Sequence, residues 1–242
     1  MCTVTFLPCG DRVFLTSSRD ERAGRPPADP PAWYPSPTGT LLFPRDGKAG
    51  GTWIVLHENG HAAVLLNGAF SGHAPQPSYR RSRGLILLDL IGSHAPFDAF
   101  RSINLEDIEP FTVVLWAGET LFECRWDGEK KHAGMLAKDR PRIWSSATLY
   151  ERDAVSRRES WFADWLRGQA DFRRDDLLHF HQHTGEGDRH NDLLMNRGEV
   201  FTVSICCLEL NPGSGTMVYR DLVQQTDHCR NLPFTKAFAD PL

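Results

Sequence analysis

Long hydrophobic runs, paired cysteines and a dominant charge are missing from this sequence of 242 residues. Its most apolar window, residues 85–91, contains Asp89 and is much shorter than the roughly 18 residues that a membrane span requires. The N-terminus lacks a basic segment followed by an apolar one, so we expect no signal peptide and no integral membrane segment. With 40% hydrophobic and 24% charged residues, the composition is typical of a soluble globular protein.

None of the six cysteines is part of a CxxC pair. This pattern argues against a zinc site and a disulfide framework and favours a reducing compartment, so we expect a cytoplasmic protein. The formal net charge of −4 gives no electrostatic reason to expect nucleic acid as a partner. A Walker A motif, a dinucleotide-type glycine fingerprint and a GxSxG elbow are also missing, and we expect no cofactor.

Two groups of histidines resemble metal sites at first sight. Residues 57–61 match the HExxH pattern, which binds zinc when a helix places both histidines on one face. Asn59 and Gly60 at its centre, between two β-rich runs, instead predict a type I′ hairpin turn. The histidines within residues 174–183 are spaced by two, which does not suit one face of a helix. The sequence therefore predicts no metal site.

The order of the predicted elements indicates the fold class. Strands are expected at residues 3–7, 12–18, 52–56, 62–66, 111–116, 121–126, 142–146, 200–210 and 216–220, and helices at 83–101 (interrupted near Pro96), 151–168 and 174–183. The proline-rich residues 25–37 are expected to form a long loop. Hairpin-linked strands with segregated helices predict an α+β fold with antiparallel sheets, and we expect a single domain over residues 1–242.

The first residues carry a candidate nucleophile. Removal of Met1 would leave Cys2 with a thiol and a free α-amino group, whose pKa values in model peptides are about 8.5 and about 8. The amine can then act as general base for the thiol of its own residue. A hairpin of residues 3–7 and 12–18 would return Arg19 towards Cys2, where a guanidinium favours the thiolate. The alternative is an ordinary buried cysteine beside a solvated loop.

Two further segments are candidates for lining a site. Asn67 directly follows an apolar strand, where it is either a turn former or an amide donor to an oxyanion. Trp33 and Tyr34 form an aromatic pair in the proline-rich segment, which either lines a site or is a rigid surface connector. We expect Trp33, Tyr34 and Ser146 to contact a substrate.

Several short motifs together resemble the NRDE family, also called the transport-and-Golgi-organisation family. The resemblance is concentrated in roughly the first hundred residues. It implies a fold like that of the N-terminal nucleophile (Ntn) hydrolases, an αββα four-layer sandwich of two antiparallel sheets. The motifs are Met1-Cys2-Thr3, Ser18-Arg19-Asp20-Glu21, Arg25-Pro26, Gly50-Gly51-Thr52-Trp53, Asn67 and Ser82-Arg83-Gly84.

The wider Ntn group includes cysteine amidases, and this similarity implies roles for individual residues. Cys2 would be both nucleophile and base. Arg19 would activate the thiol and hold a substrate carboxylate or the amine. Asp20 would bind the α-amino group, and Asn67 would donate to the oxyanion. Ser146 falls where cysteine amidases have an asparagine near the oxyanion.

The sequence departs from the family pattern at two other positions. Ser18 stands where the family has asparagine. A late arginine of the amidases has a counterpart here only if Arg197 supplies it. These departures bear on hydrolysis more than on the fold.

The leading functional hypothesis is a cytosolic Ntn-type cysteine amidohydrolase that cleaves a non-peptide C–N bond through Cys2. The alternative is a non-catalytic protein of the same fold that binds and traffics haem, an acyl-thioester or lipid. Members of the resembled family are associated with intracellular membrane organisation, lipid homeostasis and haem handling. In either case the expected partner is a small molecule: an amide, an acyl-thioester or haem. A purely structural role is the third alternative.

Overall fold

The computed structural model describes residues 3–74, 76–169 and 171–235. The strands in these ranges are β1 (Thr3–Cys9), β2 (Arg12–Arg22), β3 (Asp29–Ser36), β4 (Gly39–Arg45), β5 (Ile54–His57), β6 (Ala62–Asn67), β7 (Phe111–Ala117), β8 (Thr120–Trp126), β9 (Lys131–Leu136), β10 (Arg142–Ser145), β11 (Val200–Asn211), β12 (Ser214–Asp221) and β13 (Thr226–Pro233). The helices are α1 (Arg83–Ile91), α2 (Pro96–Ser102), α3 (Arg152–Arg167) and α4 (Arg174–His183).

The strands form two sheets in which neighbours pair antiparallel. The first sheet has six strands in the order β10-β1-β2-β11-β12-β13. The second has seven strands in the order β3-β4-β5-β6-β7-β8-β9, which is the order of the sequence. The first sheet therefore joins the two ends of the described chain, because β1 and β2 pair with strands that follow residue 140.

Side chains alternate between the two faces of each strand, so each sheet packs against the other sheet on one face and against helices on the opposite face, in four layers. Phe6 and Leu15 of the first sheet and Ile54 and Val64 of the second belong to one core cluster, which lies between the sheets. The opposite face of the first sheet packs against α4, in a cluster that includes Leu7, Phe14, Leu177 and Leu178. The opposite face of the second sheet packs against α1 and α2, through residues that include Val113, Leu87 and Phe100. The predicted α+β fold and αββα sandwich are confirmed.

The predicted helices are present, and the one expected at residues 83–101 is interrupted before Pro96, as predicted. Helix α1 begins after Ser82, whose side chain accepts a hydrogen bond from the Gly84 amide. Pro96 occupies the start of α2, where its missing N–H is not needed. Helix α3 buries Phe162 and packs Trp161, Trp165 and Leu166 around that core. This face of α3 is therefore a packing surface.

The prediction of a long loop over residues 25–37 was wrong. Residues 29–36 form β3, which among the described residues pairs with β4 alone and is one edge strand of the second sheet. An edge strand tolerates prolines because one row of its N–H groups has no neighbouring strand. The register between Asp29 and Ala32 is irregular, where Pro30 and Pro31 interrupt the pairing.

The HExxH segment forms a hairpin, but the predicted type I′ turn was wrong, because Gly60 has a positive φ and Asn59 does not. His57 ends β5, and the Gly60 amide donates to the His57 carbonyl across 2.9 Å. Gly60 has a φ of 87°, which favours glycine. The segment is therefore a tight turn between β5 and β6, and a helical zinc motif does not form there.

Two family motifs contact each other beside the second sheet, between the segment that leads into β5 and the start of α1. The Thr52 amide donates to the Gly84 carbonyl across 3.3 Å. A Cβ added to Gly51 would lie 2.5 Å from the Gly84 carbonyl carbon, and one added to Gly84 would lie 2.7 Å from the Thr52 oxygen. Only glycine permits this approach of two backbones. It fixes the segment that carries Trp53, on which Arg19 rests.

Candidate active site

The predicted nucleophile, Cys2, lies outside the described residues, as does Met1. Thr3, the first described residue, begins β1 and pairs with Ser18 of β2 and Ser145 of β10. The residues that follow these two partners in the chain are Arg19, within β2, and Ser146, directly after the end of β10. The backbone register therefore brings these two candidate site residues to the beginning of β1.

The Arg19 side chain is buried within a cluster of charged groups. Its Nη2 lies 2.5 Å from Asp46 Oδ2 and 3.7 Å from Glu21 Oε2. Its Cζ lies 4.4 Å from the centre of the Trp53 ring. Burial lowers the pKa of Arg19, against the opposing effect of the Asp46 and Glu21 charges. Arginine remains protonated in proteins, so the guanidinium is a fixed cation in this site.

Asp46 organises this cluster. Its carboxylate accepts hydrogen bonds from Arg25 Nε and Nη2, both at 2.9 Å, and from the Ala49 amide at 2.7 Å. Burial acts to raise the pKa of Asp46, but the hydrogen bonds from Arg25 and Ala49 and the two guanidinium charges outweigh it, so the pKa is lowered. A charged Asp46 therefore compensates part of the positive charge of Arg19.

Asp20 lies on the opposite face of β2 from Arg19 and is also buried. Its Oδ2 accepts a hydrogen bond from the Tyr150 hydroxyl at 2.7 Å, and its Oδ1 accepts one from Thr202 Oγ1 at 2.6 Å. Thr202 Oγ1 in turn accepts from the Met195 amide at 2.9 Å. A carboxylate has about four lone-pair sites, so Asp20 can also accept from an ammonium group.

Asn67 and Ser146 are neighbours. Ser146 Oγ donates to the Asn67 carbonyl across 2.9 Å and lies 3.0 Å from Thr148 Oγ1. The Asn67 carboxamide makes no hydrogen bond within the described part of the chain. Gly68, with a φ of 78°, lets the 146–148 loop pack on this strand end, since a Cβ there would lie 2.9 Å from Thr148 Cγ2. The arrangement leaves the carboxamide of Asn67 available as a donor.

Ser18, which replaces the family asparagine, contacts a buried histidine. Ser18 Oγ lies 2.8 Å from His181 Nδ1, and His181 Nε2 lies 2.9 Å from Thr5 Oγ1. His181 is fully buried, and burial lowers its pKa to about 3, with the charge of Arg158 acting in the same direction. The ring is therefore neutral near pH 7 and links β1, β2 and α4 by hydrogen bonds.

A cavity of about 230 Å³ opens beside Arg19. Apolar groups contribute much of its wall, and burial raises the pKa of Tyr219, one of the lining residues, to about 12. The lining residues are Arg19, Glu21, Arg22, Ala23, Arg25, Pro26, Pro27, Ala28, Phe201, Val203, Tyr219, Asp221, Val223 and Gln224.

The aromatic pair on β3 does not line this cavity. Trp33 is 50% exposed, and its Nε1 donates to the Asn231 carbonyl at 3.3 Å. Tyr34 stacks on Phe43 with ring centres 4.2 Å apart. Their expected contact with a substrate stays a prediction, and it requires a ligand that extends along the edge of the second sheet.

A larger cavity, of about 720 Å³, lies near the α2–β7 connection. Its wall contains Trp126 and the carboxylates of Glu106, Asp107, Asp127 and Glu129. The Asp127 carboxylate accepts hydrogen bonds from the amides of its own turn and from His132, which lower its pKa to about 2. The wall therefore carries negative charge at neutral pH.

Sequence reasoning missed Asp46, Tyr150 and Thr202, which make the hydrogen bonds to the predicted site residues. It also missed Arg158, although its position gave a signal. Arg158 lies midway between Ala154 and Phe162 on the buried face of α3, where a charged residue is rare unless it has buried partners. Asp46 gave no such signal, because an aspartate before a glycine indicates only a turn.

The fold is similar to that of solved structures. The chain is similar to a Caenorhabditis elegans N-acylethanolamine-hydrolyzing acid amidase ortholog, with a TM-score of 0.60 and 11% identity over 86% of this chain and 92% of that one. Two variant structures of conjugated bile acid hydrolase from Clostridium perfringens match with a TM-score of 0.49 and 10% identity, over 98% of both chains in one case and 99% in the other. The similarity to the amidase shows an Ntn-hydrolase-like fold.

The sequence also identifies the family. Residues 1–190 match the family Transport and Golgi organisation 2, and the chain belongs to that family. No curated protein matches the sequence. Across the described ranges of the chain, the helices are too short or too polar to cross a membrane.

Proposed function

We propose that this protein is an Ntn-type cysteine amidohydrolase that cleaves a non-peptide C–N bond through Cys2 after removal of Met1. The observation that carries the proposal is the backbone register, in which Thr3 pairs with Ser18 and Ser145 and which therefore brings Arg19 and Ser146 to the beginning of β1. Asp20 follows Arg19 on β2, with its side chain on the opposite face of the strand. The neighbouring Asn67 adds a carboxamide that makes no hydrogen bond to the described residues.

The proposed reaction passes through an acyl-enzyme. The neutral amine of Cys2 takes the proton of the thiol, and the thiolate attacks the amide carbonyl carbon. The oxyanion that forms accepts a hydrogen bond from the Asn67 carboxamide. The protonated amine returns its proton to the leaving nitrogen, the C–N bond breaks, and a thioester remains. Water then attacks the thioester with the amine as base, which releases the acid and regenerates the thiol.

Asp20 and Arg19 have different parts in this reaction. Asp20 stabilises the ammonium form of the Cys2 amine, because its carboxylate is already fixed by two hydroxyl donors. Arg19 acts as a rigid hydrogen-bond donor more than as a free charge, because Asp46 lies 2.5 Å from its Nη2. Other N–H groups of the guanidinium are available for the thiolate or for a substrate oxygen.

The cavity beside Arg19 supports a compact substrate. Its volume of about 230 Å³ lies below the range of about 300–1,000 Å³ that is usual for drug-sized ligands. Phe201, Val203 and Pro26 offer apolar contacts in its wall, and Arg19 and Arg25 are paired with Asp46. We propose that the cavity holds a small, apolar acyl group next to the scissile amide.

The alternative function, carriage of haem or an acyl-thioester, receives less support. The cavity beside Arg19 is small for haem. The larger cavity has the volume, but its wall holds four carboxylates, which oppose the negative propionates of haem. An acyl-thioester would have to use the same cavity as the amide, and saturable binding without hydrolysis of any amide would favour carriage over catalysis.

The test combines mass spectrometry with a panel of N-acyl amides that differ in acyl length. We expect the purified protein to begin at Cys2 and to hydrolyse amides of short apolar acids. The Cys2→Ala variant should lose turnover, whereas Cys229→Ala, which removes an exposed thiol, should keep it. Retention of Met1, or equal activity of the two variants, would show that the proposal is wrong.

A further inference from the structure

The ring of Tyr150 lies between two guanidinium groups. The Cζ atom of Arg158 is 3.5 Å from the ring centre, and that of Arg197 is 5.2 Å from it. The Tyr150 hydroxyl donates to Asp20 Oδ2 at 2.7 Å. Arg158 comes from α3 and Arg197 from the segment before β11, so two distant parts of the chain fix one phenol against β2.

Arg158 connects this arrangement to the start of the described chain. It is fully buried, and its Nη1 donates to Thr3 Oγ1 at 2.7 Å. Its other donors reach the main-chain oxygens of Asn191 at 3.0 Å and Asp192 at 2.8 Å. No carboxylate within the three described ranges forms an ion pair with it. A buried cation without an anionic partner is costly, so these oxygens and the face of the ring are its compensation.

We infer that Tyr150, held between Arg158 and Arg197, is a positioning residue that fixes the Asp20 carboxylate and thereby sets the pH at which the Cys2 amine acts as a base. This inference rests on the proposed function. Neither arginine contacts Asp20 directly through a hydrogen bond among the described residues, and both act through the phenol.

The physical basis is electrostatic. Two cations close to the ring favour negative charge on the phenol oxygen, which strengthens its hydrogen bond to a carboxylate. A carboxylate that already accepts from Tyr150 and Thr202 attracts an ammonium group less strongly than one with free lone pairs. The amine therefore loses its proton at a lower pH than it would beside an unsatisfied Asp20.

The groups that face Asp20 come from several elements. Tyr150 lies in the turn before α3, and Arg158 lies in α3. Arg197 lies in the segment before β11, and Thr202 lies in β11. His181 of α4 reaches this face through Ser18. His181 is neutral near pH 7 because burial lowers its pKa to about 3. The two arginines do not titrate in the range of the experiment.

The experiment measures kcat/KM for hydrolysis of the amide panel as a function of pH, in the full chain, because the acid limb of this profile reports the protonation of the general base. Mass spectrometry of the N-terminal peptide establishes in parallel whether Met1 has been removed. Tyr150→Phe keeps the ring between the guanidinium groups and removes only the hydroxyl. We expect its profile to move to higher pH by about one unit, because a hydrogen bond to a charged group is lost. Tyr79→Phe, which removes a hydroxyl that accepts from the Gln76 amide, should leave the profile unchanged.

A second variant keeps the inference testable if Tyr150→Phe does not fold. Arg197→Gln leaves Asp20 and both of its donors in place and removes one cation from the ring, so a smaller shift in the same direction is expected. A profile that keeps its midpoint in these variants, with only the plateau reduced in proportion to the folded fraction, would overturn the inference and leave Tyr150 a structural residue.

The outcomes also separate this inference from the proposed function. If Met1 is retained, or if no amide of the panel is hydrolysed, both the function and the inference are wrong. If the wild-type protein hydrolyses the amide panel, but Tyr150→Phe and Arg197→Gln leave the midpoint of the acid limb unchanged, only the inference fails.

Discussion

Arg19 and Asp46 are 27 positions apart in the sequence and are joined across 2.5 Å by Nη2 and Oδ2. Arg25 completes a cluster in which one carboxylate serves two guanidinium groups. The cluster ties β2 to the turn after β4 and therefore joins the two sheets beside the candidate active site. Its two measurable consequences concern stability and the reactivity of Cys2.

Asp46→Asn should destabilise the fold. The substitution leaves Arg19 buried without its nearest compensating charge, and breaking such pairs costs about 2–4 kcal/mol when one partner is partly exposed. The free energy of unfolding in urea measures the loss. Asp89→Asn is the matched control, because the Arg81–Asp89 pair is well exposed and worth less than about 1 kcal/mol. Equal losses in the two variants would contradict a structural role for the Asp46 cluster.

The same substitution should make Cys2 more reactive. With Asp46 neutral, the Arg19 charge is less compensated and favours a nearby thiolate. We expect the rate of Cys2 alkylation near pH 7 to rise by about threefold to tenfold, from a shift of about half a unit to one unit in the thiol equilibrium. Asp89→Asn should show the wild-type rate. An unchanged or slower rate in a folded Asp46→Asn protein would mean that Arg19 does not act on the thiol.

Local patterns predicted the parts of the fold that depend on neighbours in sequence. The β1–β2 hairpin followed from two apolar runs around a turn, and α3 followed from its apolar stripe. The edge strands β9 and β13 were missed because they bury few side chains and therefore show little alternation. The edge strand β3 was taken for a loop because its prolines exclude an interior position but not an edge.

The residues of the candidate site also fall into those that the sequence predicted and those that it did not. Arg19, Asp20 and Asn67 were found because they belong to motifs whose order and spacing can be read along the chain. Asp46 and Tyr150 were not found, because their importance comes from contacts with residues 27 and 130 positions away. Such contacts depend on tertiary packing, which leaves no periodicity in a single sequence.

Acidification should weaken the fold through His181. Burial lowers its pKa in the folded protein to about 3, whereas an unfolded chain titrates near 6.5. Between these values the unfolded state binds a proton that the folded state does not. The free energy of unfolding therefore decreases as the pH is lowered, by up to about 1.4 kcal/mol per pH unit. From pH 6.5 to 4.5 the contribution of this one residue should be about 2 kcal/mol.

Urea denaturation at several pH values isolates this contribution. His181→Gln should show a shallower loss than the wild type between pH 6.5 and 4.5, because glutamine does not titrate. His179→Gln, which changes an exposed histidine of the same helix, should follow the wild-type curve. Parallel curves for all three proteins would mean that His181 gains its proton in the folded state near its ordinary pKa.

Gly68 should be essential for the contact between the Asn67 strand end and the 146–148 loop. An added Cβ would lie 2.9 Å from Thr148 Cγ2 and 3.2 Å from Ala147 Cβ, in addition to the strain of a φ of 78°. Gly118 also has a positive φ, of 54°, but has no atom within 4 Å of such a Cβ. Gly118→Ala should therefore cost only about 1 kcal/mol of strain, and Gly68→Ala about 2–4 kcal/mol.

The extra cost arises from Thr148, and a double variant tests that origin. Thr148→Ser removes Cγ2 and keeps the hydroxyl that lies 3.0 Å from Ser146 Oγ, so Gly68→Ala in this background should recover about 1 kcal/mol of the free energy of unfolding. Amide hydrolysis should fall in Gly68→Ala by more than the folded fraction explains, because Asn67 is displaced with the turn. If both glycine variants lose the same stability, the loop does not press on Gly68 and the proposed alignment of Asn67 with Ser146 fails.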